Sequence, residues 1–208
     1  MGAGAARVVA ITDETALSIV VLAGPNGAGK TTAAPFVLRD RLSVREYVNA
    51  DPIAQGLSGF DPESVALAAG RLMLERINEL AHQRVSFGFE TTLASRSFAP
   101  WLRARLEDGY SVHLVFLWLA SPELALARVA RRVEPGGHNV AEEVVPRRYA
   151  AGLRNFFGLY RSVASSWRMY DIGGRLPRLI ATGSHERTIE IDSGLWGRMV
   201  RQWAKRDG

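Results

Sequence analysis

A glycine-rich segment that separates an apolar run from a helix-like stretch constrains the fold of this chain more than any other feature. Residues 18–23 are almost continuously apolar, which is typical of a strand buried on both faces of a parallel sheet. The residues from Lys30 to about Arg41 have a helix-like composition. The segment that joins the two reads Gly24, Pro25, Asn26, Gly27, Ala28, Gly29, Lys30, Thr31 and Thr32.

Glycines in such a segment let the backbone turn several N–H groups inward at the start of a helix, where they can bind phosphate oxygens. We therefore predict a P-loop in which residues 24–32 bind ATP. Lys30 is expected to reach the β- and γ-phosphates and to act in catalysis, and the Thr31 hydroxyl is expected to bind Mg²⁺. The alternative is a fortuitous glycine-rich turn, which the surrounding strand and helix pattern disfavours.

Transporter-type ATPases carry a similar loop, but three observations exclude that class. Leu57-Ser58-Gly59 resembles their signature, yet it is followed by Phe60 and lies only a short way after the loop. In addition, no predicted strand ends in Asp-Glu.

Apolar runs alternate with helix-like segments along most of the chain. This alternation predicts a three-layer α/β P-loop fold with a mainly parallel sheet, like that of nucleoside and shikimate kinases, with a lid and a C-terminal β-hairpin and helix. Further strands are predicted at residues 47–49, 85–89, 112–119 and 169–171, with a hairpin formed by 178–181 and 188–191. Helices are predicted at about 61–80, 97–109, from 121, at 142–160 and from 193.

Length and composition favour an ordinary globular protein. The 208 residues, 47% hydrophobic and 23% charged, suffice for one domain, so we expect a short lead-in at residues 1–17 and a single kinase domain at 18–208. With neither a spanning apolar stretch nor a signal peptide, a cytoplasmic protein without membrane partners is expected. The absence of Cys excludes disulfides and thiolate chemistry.

Two carboxylates follow predicted strands, at the edge where ligands bind in open α/β sheets. We predict that Asp51 is the catalytic base that contacts the substrate, and that Glu90 and Thr92 hold the phosphoryl acceptor. The alternative for Asp51 is an Asx turn or helix cap before Pro52. The alternative for Glu90 is a metal-water ligand or a cap.

Arginines are concentrated between residues 121 and 168 and account for most of the net charge of +5. Arg128 and Arg132 share one helix face, and Arg148 follows a Gly-Gly-His break at residues 136–138. We predict a lid at about 128–148, in which Arg128 binds ATP while Arg132 and Arg148 contact the transferred phosphate during catalysis. The alternative is a solvated, arginine-rich helix surface.

Taken in order, several of these residues resemble the zeta toxin family, and more narrowly its small zeta-like ATPases. The matching segments are the P-loop, Asn49-Ala50-Asp51-Pro52, Phe89-Glu90-Thr91-Thr92, Arg128 to Arg132, Gly136-Gly137-His138 and Arg147-Arg148-Tyr149. Two positions depart from the family pattern. Ala94 stands where better-known members have Arg, and Asp171-Ile172-Gly173 replaces Asp-Asn-Ser.

The resemblance implies a kinase that uses ATP to phosphorylate the 3′-hydroxyl of the amino sugar in UDP-N-acetylglucosamine. It implies that Asp51 is the base, that Glu90 and Thr92 hold the sugar nucleotide, and that arginines near Arg132 and Arg148 contact the phosphate. A small helical antitoxin is the partner that it implies.

Two other functions remain open from the residues alone. A nucleic-acid end kinase or binding protein would use the arginines, but few aromatic residues interleave them, so nucleic acid is not the expected partner. A nucleotide-gated interaction ATPase would use the same P-loop without transferring the phosphate to an acceptor.

Overall fold

The computed structural model describes residues 17–40, 44–133, 141–185 and 187–203, and within these ranges seven strands form one sheet. In chain order they are β1 (Ser18–Ala23), β2 (Glu46–Val48), β3 (Phe87–Thr91), β4 (Ser111–Trp118), β5 (Ser166–Asp171), β6 (Arg178–Gly183) and β7 (Thr188–Glu190). Their order across the sheet is β2-β3-β1-β4-β5-β6-β7. Neighbours from β2 to β5 are parallel, whereas β6 and β7 are antiparallel. The predicted P-loop α/β fold with a C-terminal hairpin is therefore confirmed.

Helices connect the parallel strands. They are α1 (Lys30–Ala34), α2 (Ala50–Leu57), α3 (Ala66–His82), α4 (Phe98–Glu107), α5 (Pro122–Val133), α6 (Val144–Asn155), α7 (Arg161–Val163) and α8 (Ser193–Trp203). Two π-helical segments extend this set, since Pro35–Asp40 continues α1 and Phe156–Tyr160 joins α6 to α7. No helix among the described residues is both long and apolar enough to span a lipid bilayer.

Strand β1 lies in the middle of the parallel part of the sheet, between β3 and β4. All six of its residues are buried, which explains why its sequence is apolar on both faces rather than alternating. Its register with β3 places Leu22 opposite Glu90 and Ala23 opposite Thr91. The end of β1, where the P-loop begins, therefore lies beside the carboxylate at the end of β3.

An aromatic cluster fills the core between α8 and the sheet. Trp167 on β5 is fully buried, and Trp196 of α8 stacks on it with ring centroids 5.3 Å apart and planes 12° from parallel. Phe156 meets Trp167 edge-on at 5.7 Å. The Arg161 guanidinium lies 5.9 Å from the centroids of both tryptophan rings, so a cation–π contact joins the cluster to α7.

Three local features differ from the sequence predictions. Helix α2 was not predicted, although Asn49 caps it by accepting a hydrogen bond from the backbone N–H of Asp51. Helix α3 begins at Ala66 rather than near Asp61, because Asp61 caps the preceding turn through the Ser64 N–H instead. Strand β3 runs on through Thr91, so Glu90 lies within the strand rather than after it.

Candidate active site

The P-loop connects β1 to α1 through glycines whose backbone φ angles are positive. These angles are +142° at Gly24, +74° at Gly27 and +72° at Gly29, a region that residues with a Cβ seldom adopt. A Cβ at Gly27 would lie 2.8 Å from the Ala125 carbonyl oxygen and 3.0 Å from the Cβ of Arg128. The glycines thus shape the loop and let α5 pack directly against it.

Lys30, the first residue of α1, folds back over the loop. Its side chain is 6% exposed, and its Nζ donates a hydrogen bond to the Pro25 carbonyl oxygen at 3.0 Å. The same nitrogen lies 3.6 Å from Oε1 of Glu90. The ammonium group is therefore held where the loop would receive the phosphates of a nucleotide.

Glu90 is the centre of a polar network next to the P-loop. Its Oε2 accepts hydrogen bonds from Thr31 Oγ1 at 2.9 Å, from Tyr47 Oη at 2.5 Å and from Asn49 Nδ2 at 3.0 Å. Burial, followed by the nearby Glu90 charge, raises the pKa of Tyr47 well above its usual value, so the phenol remains a donor. Neither Tyr47 nor Asn49 is among the site residues predicted from the sequence.

Asp51 lies in the first turn of α2, where the cap at Asn49 fixes the backbone of this turn. Asp51 lines a cleft of about 380 Å³, and Gln55, which is not among the predicted site residues, lines the same cleft. The predicted site residues that line this cleft are Asn26, Gly27, Gly29, Lys30, Thr31, Thr32, Asp51, Glu90 and Arg128. Most of the predicted nucleotide, metal and base residues therefore lie together around one opening.

Arg128 links the cleft to the loop that follows β5. Its Nη2 donates hydrogen bonds to the carbonyl oxygens of Ile172 at 2.8 Å and Gly173 at 3.4 Å. Because α5 also packs on Gly27, the guanidinium bridges the P-loop side of the site and the segment 172–177.

A second, mainly apolar cleft of about 540 Å³ adjoins the P-loop. It shares Gly29 and Thr32 with the first cleft and is lined further on by Phe36, Tyr170 and Ile172. The apolar and aromatic lining of this continuation suits a flat ring system.

The remaining predicted residues lie elsewhere or outside the described part of the chain. Among the described residues, Thr92 and Arg148 are not in the lining of the first cleft. The carbonyl group of Thr92 packs against α6, since a Cβ at Gly152 would lie 2.3 Å from its oxygen. The side chain of Arg132 lies outside the described residues, as do Gly136–His138 of the predicted lid and residues 1–16 of the predicted lead-in.

The turn after β3 is fastened to the helix that carries Arg148. Asn155 Nδ2 donates hydrogen bonds to the carbonyl oxygens of Leu93 at 2.7 Å and Ala94 at 3.1 Å, and Tyr160 Oη donates one to that of Ser95 at 2.6 Å. Leu93 has a φ of +58°, which is unusual for a residue with a branched side chain. The segment 92–95 is thus held in a strained turn by α6 and its π-helical continuation.

The donor chemistry of the cleft fits a magnesium nucleotide. No group of three or more His, Cys, Asp or Glu residues that could enclose a metal occurs in the described part of the chain. Mg²⁺ is usually held by only one or two protein oxygens together with phosphates and water. Thr31 and Glu90 offer such oxygens beside Lys30.

Comparison with solved structures supports the fold. The chain resembles one in the AvrRxo1-ORF1:-ORF2 crystal structure with ATP, with a TM-score of 0.70, 15% identity and 88% of this chain covered. The chain spans 63% of the length of that protein. It also resembles a chain from the PezAT chromosomal toxin-antitoxin system of Streptococcus pneumoniae, with a TM-score of 0.62, 17% identity, and 94% of this chain and 87% of the other covered. At these identities the likeness concerns the fold.

Sequence comparison gives closer matches. An uncharacterized protein of Haemophilus influenzae is 32% identical over 126 residues, which cover 61% of this chain and 88% of that protein. A family model described as an AAA domain matches residues 19–158, from the start of β1 into the π-helical segment after α6. Because this match covers more than half of the chain and includes the whole P-loop, the protein belongs to this AAA domain family.

Proposed function

We propose that this protein is a P-loop kinase that transfers the γ-phosphoryl group of ATP to a hydroxyl group of a small acceptor. The observation that carries the proposal is the shared cleft, in which Lys30, Thr31, Asp51, Glu90 and Arg128 surround one opening at the start of α1. Phosphoryl transfer depends on positioning and charge stabilisation, and these groups supply both.

The P-loop residues would bind the phosphates and their metal. The backbone N–H groups at the start of α1 and the Lys30 ammonium would hold the β- and γ-phosphates. Thr31 and the nearby carboxylate of Glu90 would hold Mg²⁺, which supplies charge compensation on the phosphate oxygens when it is bound.

Asp51 would accept the proton of the attacking hydroxyl group. It lines the same cleft as Lys30 but projects from a different element, α2, whose first turn is fixed by Asn49. This arrangement leaves room for an acceptor between the carboxylate and the phosphate-binding loop. A positioned general base typically contributes about 10²- to 10⁴-fold to the rate.

The nucleotide base would lie in the second cleft. That cleft begins at Gly29 and Thr32, where the P-loop ends, and is lined by the aromatic residues Phe36 and Tyr170. Arg128 would contact the nucleotide from the other side while it holds the loop after β5 through Ile172. Arg132 and Arg148 remain our candidates for contacts with the transferred phosphate, within a lid at about 128–148.

UDP-N-acetylglucosamine is the acceptor that we propose to test first. The supporting observations are the resemblance of the site residues to zeta toxins and the structural likeness to a protein of a toxin-antitoxin system. Under this proposal Thr92 would bind the sugar nucleotide, and a small antitoxin-like protein is a candidate partner.

The test measures ATP consumption in the presence of Mg²⁺, with and without UDP-N-acetylglucosamine, and seeks the phosphorylated product by mass spectrometry. Wild type is compared with Asp51→Asn, which keeps the size of the side chain but removes the base. Asp61→Asn is the matched control, since Asp61 is exposed and only caps the turn before α3.

We expect turnover that depends on the acceptor, a monophosphorylated product, and a loss of about 10²- to 10⁴-fold in Asp51→Asn but not in Asp61→Asn. Binding of ATP without transfer to any acceptor would overturn the kinase proposal. Transfer to oligonucleotide ends but not to the sugar nucleotide would replace the proposed acceptor with nucleic acid.

A further inference from the structure

Tyr47 occupies edge strand β2, yet its hydroxyl group reaches the centre of the site. In the parallel register of β2 with β3, Tyr47 lies opposite Gly88, two residues before Glu90 on the same face of β3. Its ring therefore crosses to the neighbouring strand, where Oη donates to Glu90 Oε2 at 2.5 Å. None of the proposed roles in phosphoryl transfer uses this hydrogen bond.

The hydrogen bonds around Glu90 leave one carboxylate oxygen fully engaged. Oε2 accepts from Thr31, Tyr47 and Asn49, while Oε1 faces Lys30, and the Glu90 side chain is only 8% exposed. A carboxylate this buried has lost most of its hydration, so the donors that surround it determine where it lies.

The direction of the Thr31 hydrogen bond matters for metal binding. A threonine hydroxyl group has one proton and two lone pairs, and here the proton is directed to Glu90 Oε2 at 2.9 Å. The lone pairs of Thr31 Oγ1 are then left for other partners, of which Asn49 Nδ2 is a long one at 3.4 Å. A hydroxyl group held in this way offers its oxygen to a cation.

We propose that Tyr47 and Asn49 are positioning residues that hold Glu90 as the acceptor of the Thr31 proton, so that Thr31 presents its lone pairs to the Mg²⁺ of the nucleotide. The inference rests on the proposed function, because it requires that the P-loop binds a magnesium nucleotide. It assigns Glu90 to the metal side of the cleft, which differs from the acceptor-binding role that the sequence suggested.

Replacement of Tyr47 by Phe tests the inference by removing one oxygen atom. The binding of a fluorescent ATP analogue is measured by titration, once with EDTA and once with saturating Mg²⁺. With EDTA, the Kd values of wild type and Tyr47→Phe are expected to agree within about twofold, because the phosphate-binding N–H groups are untouched. Saturating Mg²⁺ is expected to lower the Kd of wild type. In Tyr47→Phe this improvement in Kd is expected to be about tenfold smaller, a loss of about 1.4 kcal/mol.

Two further variants make the result specific. Tyr110→Phe is the control, because Tyr110 is buried but donates to the carbonyl oxygens of Ala81 and Val85, near the start of β3. It should match wild type under both conditions. Asn49→Ser keeps a residue type that caps α2 but removes the amide donor to Glu90, so it should weaken the effect of Mg²⁺ in the same direction as Tyr47→Phe.

The outcomes separate this inference from the proposed function. If wild type binds the nucleotide in neither condition, both fail. If wild type gains affinity from Mg²⁺ and folded Tyr47→Phe and Asn49→Ser gain as much, the positioning role is wrong while the kinase proposal stands. A rise in the KM of the acceptor with an unchanged effect of Mg²⁺ would likewise overturn it, because Glu90 would then serve the acceptor side.

Discussion

Gly24 and Gly29 are the first and last glycines of the P-loop, and different physical constraints require glycine at each. At Gly24, a Cβ would lie 2.3 Å from the Leu117 carbonyl oxygen, in addition to the unfavourable φ of +142°. At Gly29, where φ is +72°, a Cβ would meet no atom within 4 Å. Backbone conformation alone constrains Gly29, whereas packing against β4 also constrains Gly24.

Substitution of these glycines by Ala should therefore have unequal effects on stability. We expect Gly29→Ala to lower the free energy of unfolding by about 1–2 kcal/mol and Gly24→Ala by about 3 kcal/mol or more, because steric overlap adds to the backbone cost. Urea denaturation measures both. Gly70→Ala is the control, since Gly70 lies within α3 with open space around it, and Ala there should stabilise by about 0.5–1 kcal/mol. Equal losses at positions 24 and 29 would contradict the packing explanation.

At the scale of single residues, local sequence predicted those residues of the candidate site whose positions depend on local structure. The P-loop follows from its own residues, and Asp51 and Glu90 follow from their places near the ends of strands. Tyr47 could not be assigned in this way, because its contact with Glu90 depends on the register of two strands whose first residues, Glu46 and Phe87, lie opposite each other but are 41 residues apart in the sequence.

At the scale of elements, α6 and the turn after β3 are joined by direct contacts. Asn155 binds two carbonyl groups of the turn, and Gly152 allows the helix to approach the Thr92 carbonyl closely. The turn includes Leu93 in a left-handed conformation, which the surrounding contacts must stabilise.

Asn155→Ala should lower the free energy of unfolding by about 1–3 kcal/mol, because two partly buried carbonyl groups of the turn lose their donor. Arg154→Ala is the neighbouring control. Arg154 is exposed, so a change within about 0.5 kcal/mol is expected. Chemical denaturation of the two variants compares them, and an Asn155→Ala protein as stable as wild type would show that α6 does not hold the turn.

Element predictions succeeded where periodicity or cap signals were strong. The long apolar strand β4, the hairpin of β6 and β7 and the start of α8 at Ser193 match the structure. Helix α2 was missed because it is only eight residues long and Asp51-Pro52 also suits a turn. The π-helical segments have no characteristic sequence periodicity. They could therefore not be predicted from the sequence, because they depend on tertiary packing.

At the scale of the whole molecule, His113 couples folding to pH. It lies on β4 opposite Ser166 of β5, is 6% exposed, and its Nδ1 lies 2.8 Å from Ser166 Oγ. Burial, followed by the nearby Arg168 charge, lowers the pKa of His113 to about 4. The folded protein therefore keeps this imidazole neutral under conditions in which the unfolded chain would protonate it.

Acidification is therefore expected to destabilise the folded protein. Below the usual histidine pKa of about 6.5 the unfolded state binds the additional proton, so stability present above pH 6.5 is lost as the pH falls towards 4. At pH 5 this amounts to about 2 kcal/mol relative to pH 7. His113→Asn should reduce the loss between these two pH values in denaturation experiments, and His82→Asn, at an exposed position, should not. An unchanged loss in His113→Asn would assign the acid sensitivity to other groups.

The contact between Lys30 and Glu90 bears on which anions the site accepts. An incoming anion meets an ammonium group that already has a carboxylate 3.6 Å away as its counterion. A ligand that brings only negative charge must compete with Glu90 for the Lys30 ammonium group. A ligand that arrives with a divalent cation instead places a second positive charge near Glu90, so the carboxylate keeps a positive neighbour. The loop should therefore discriminate against abundant free orthophosphate in favour of metal-bound polyphosphates, through charge exchange rather than through shape.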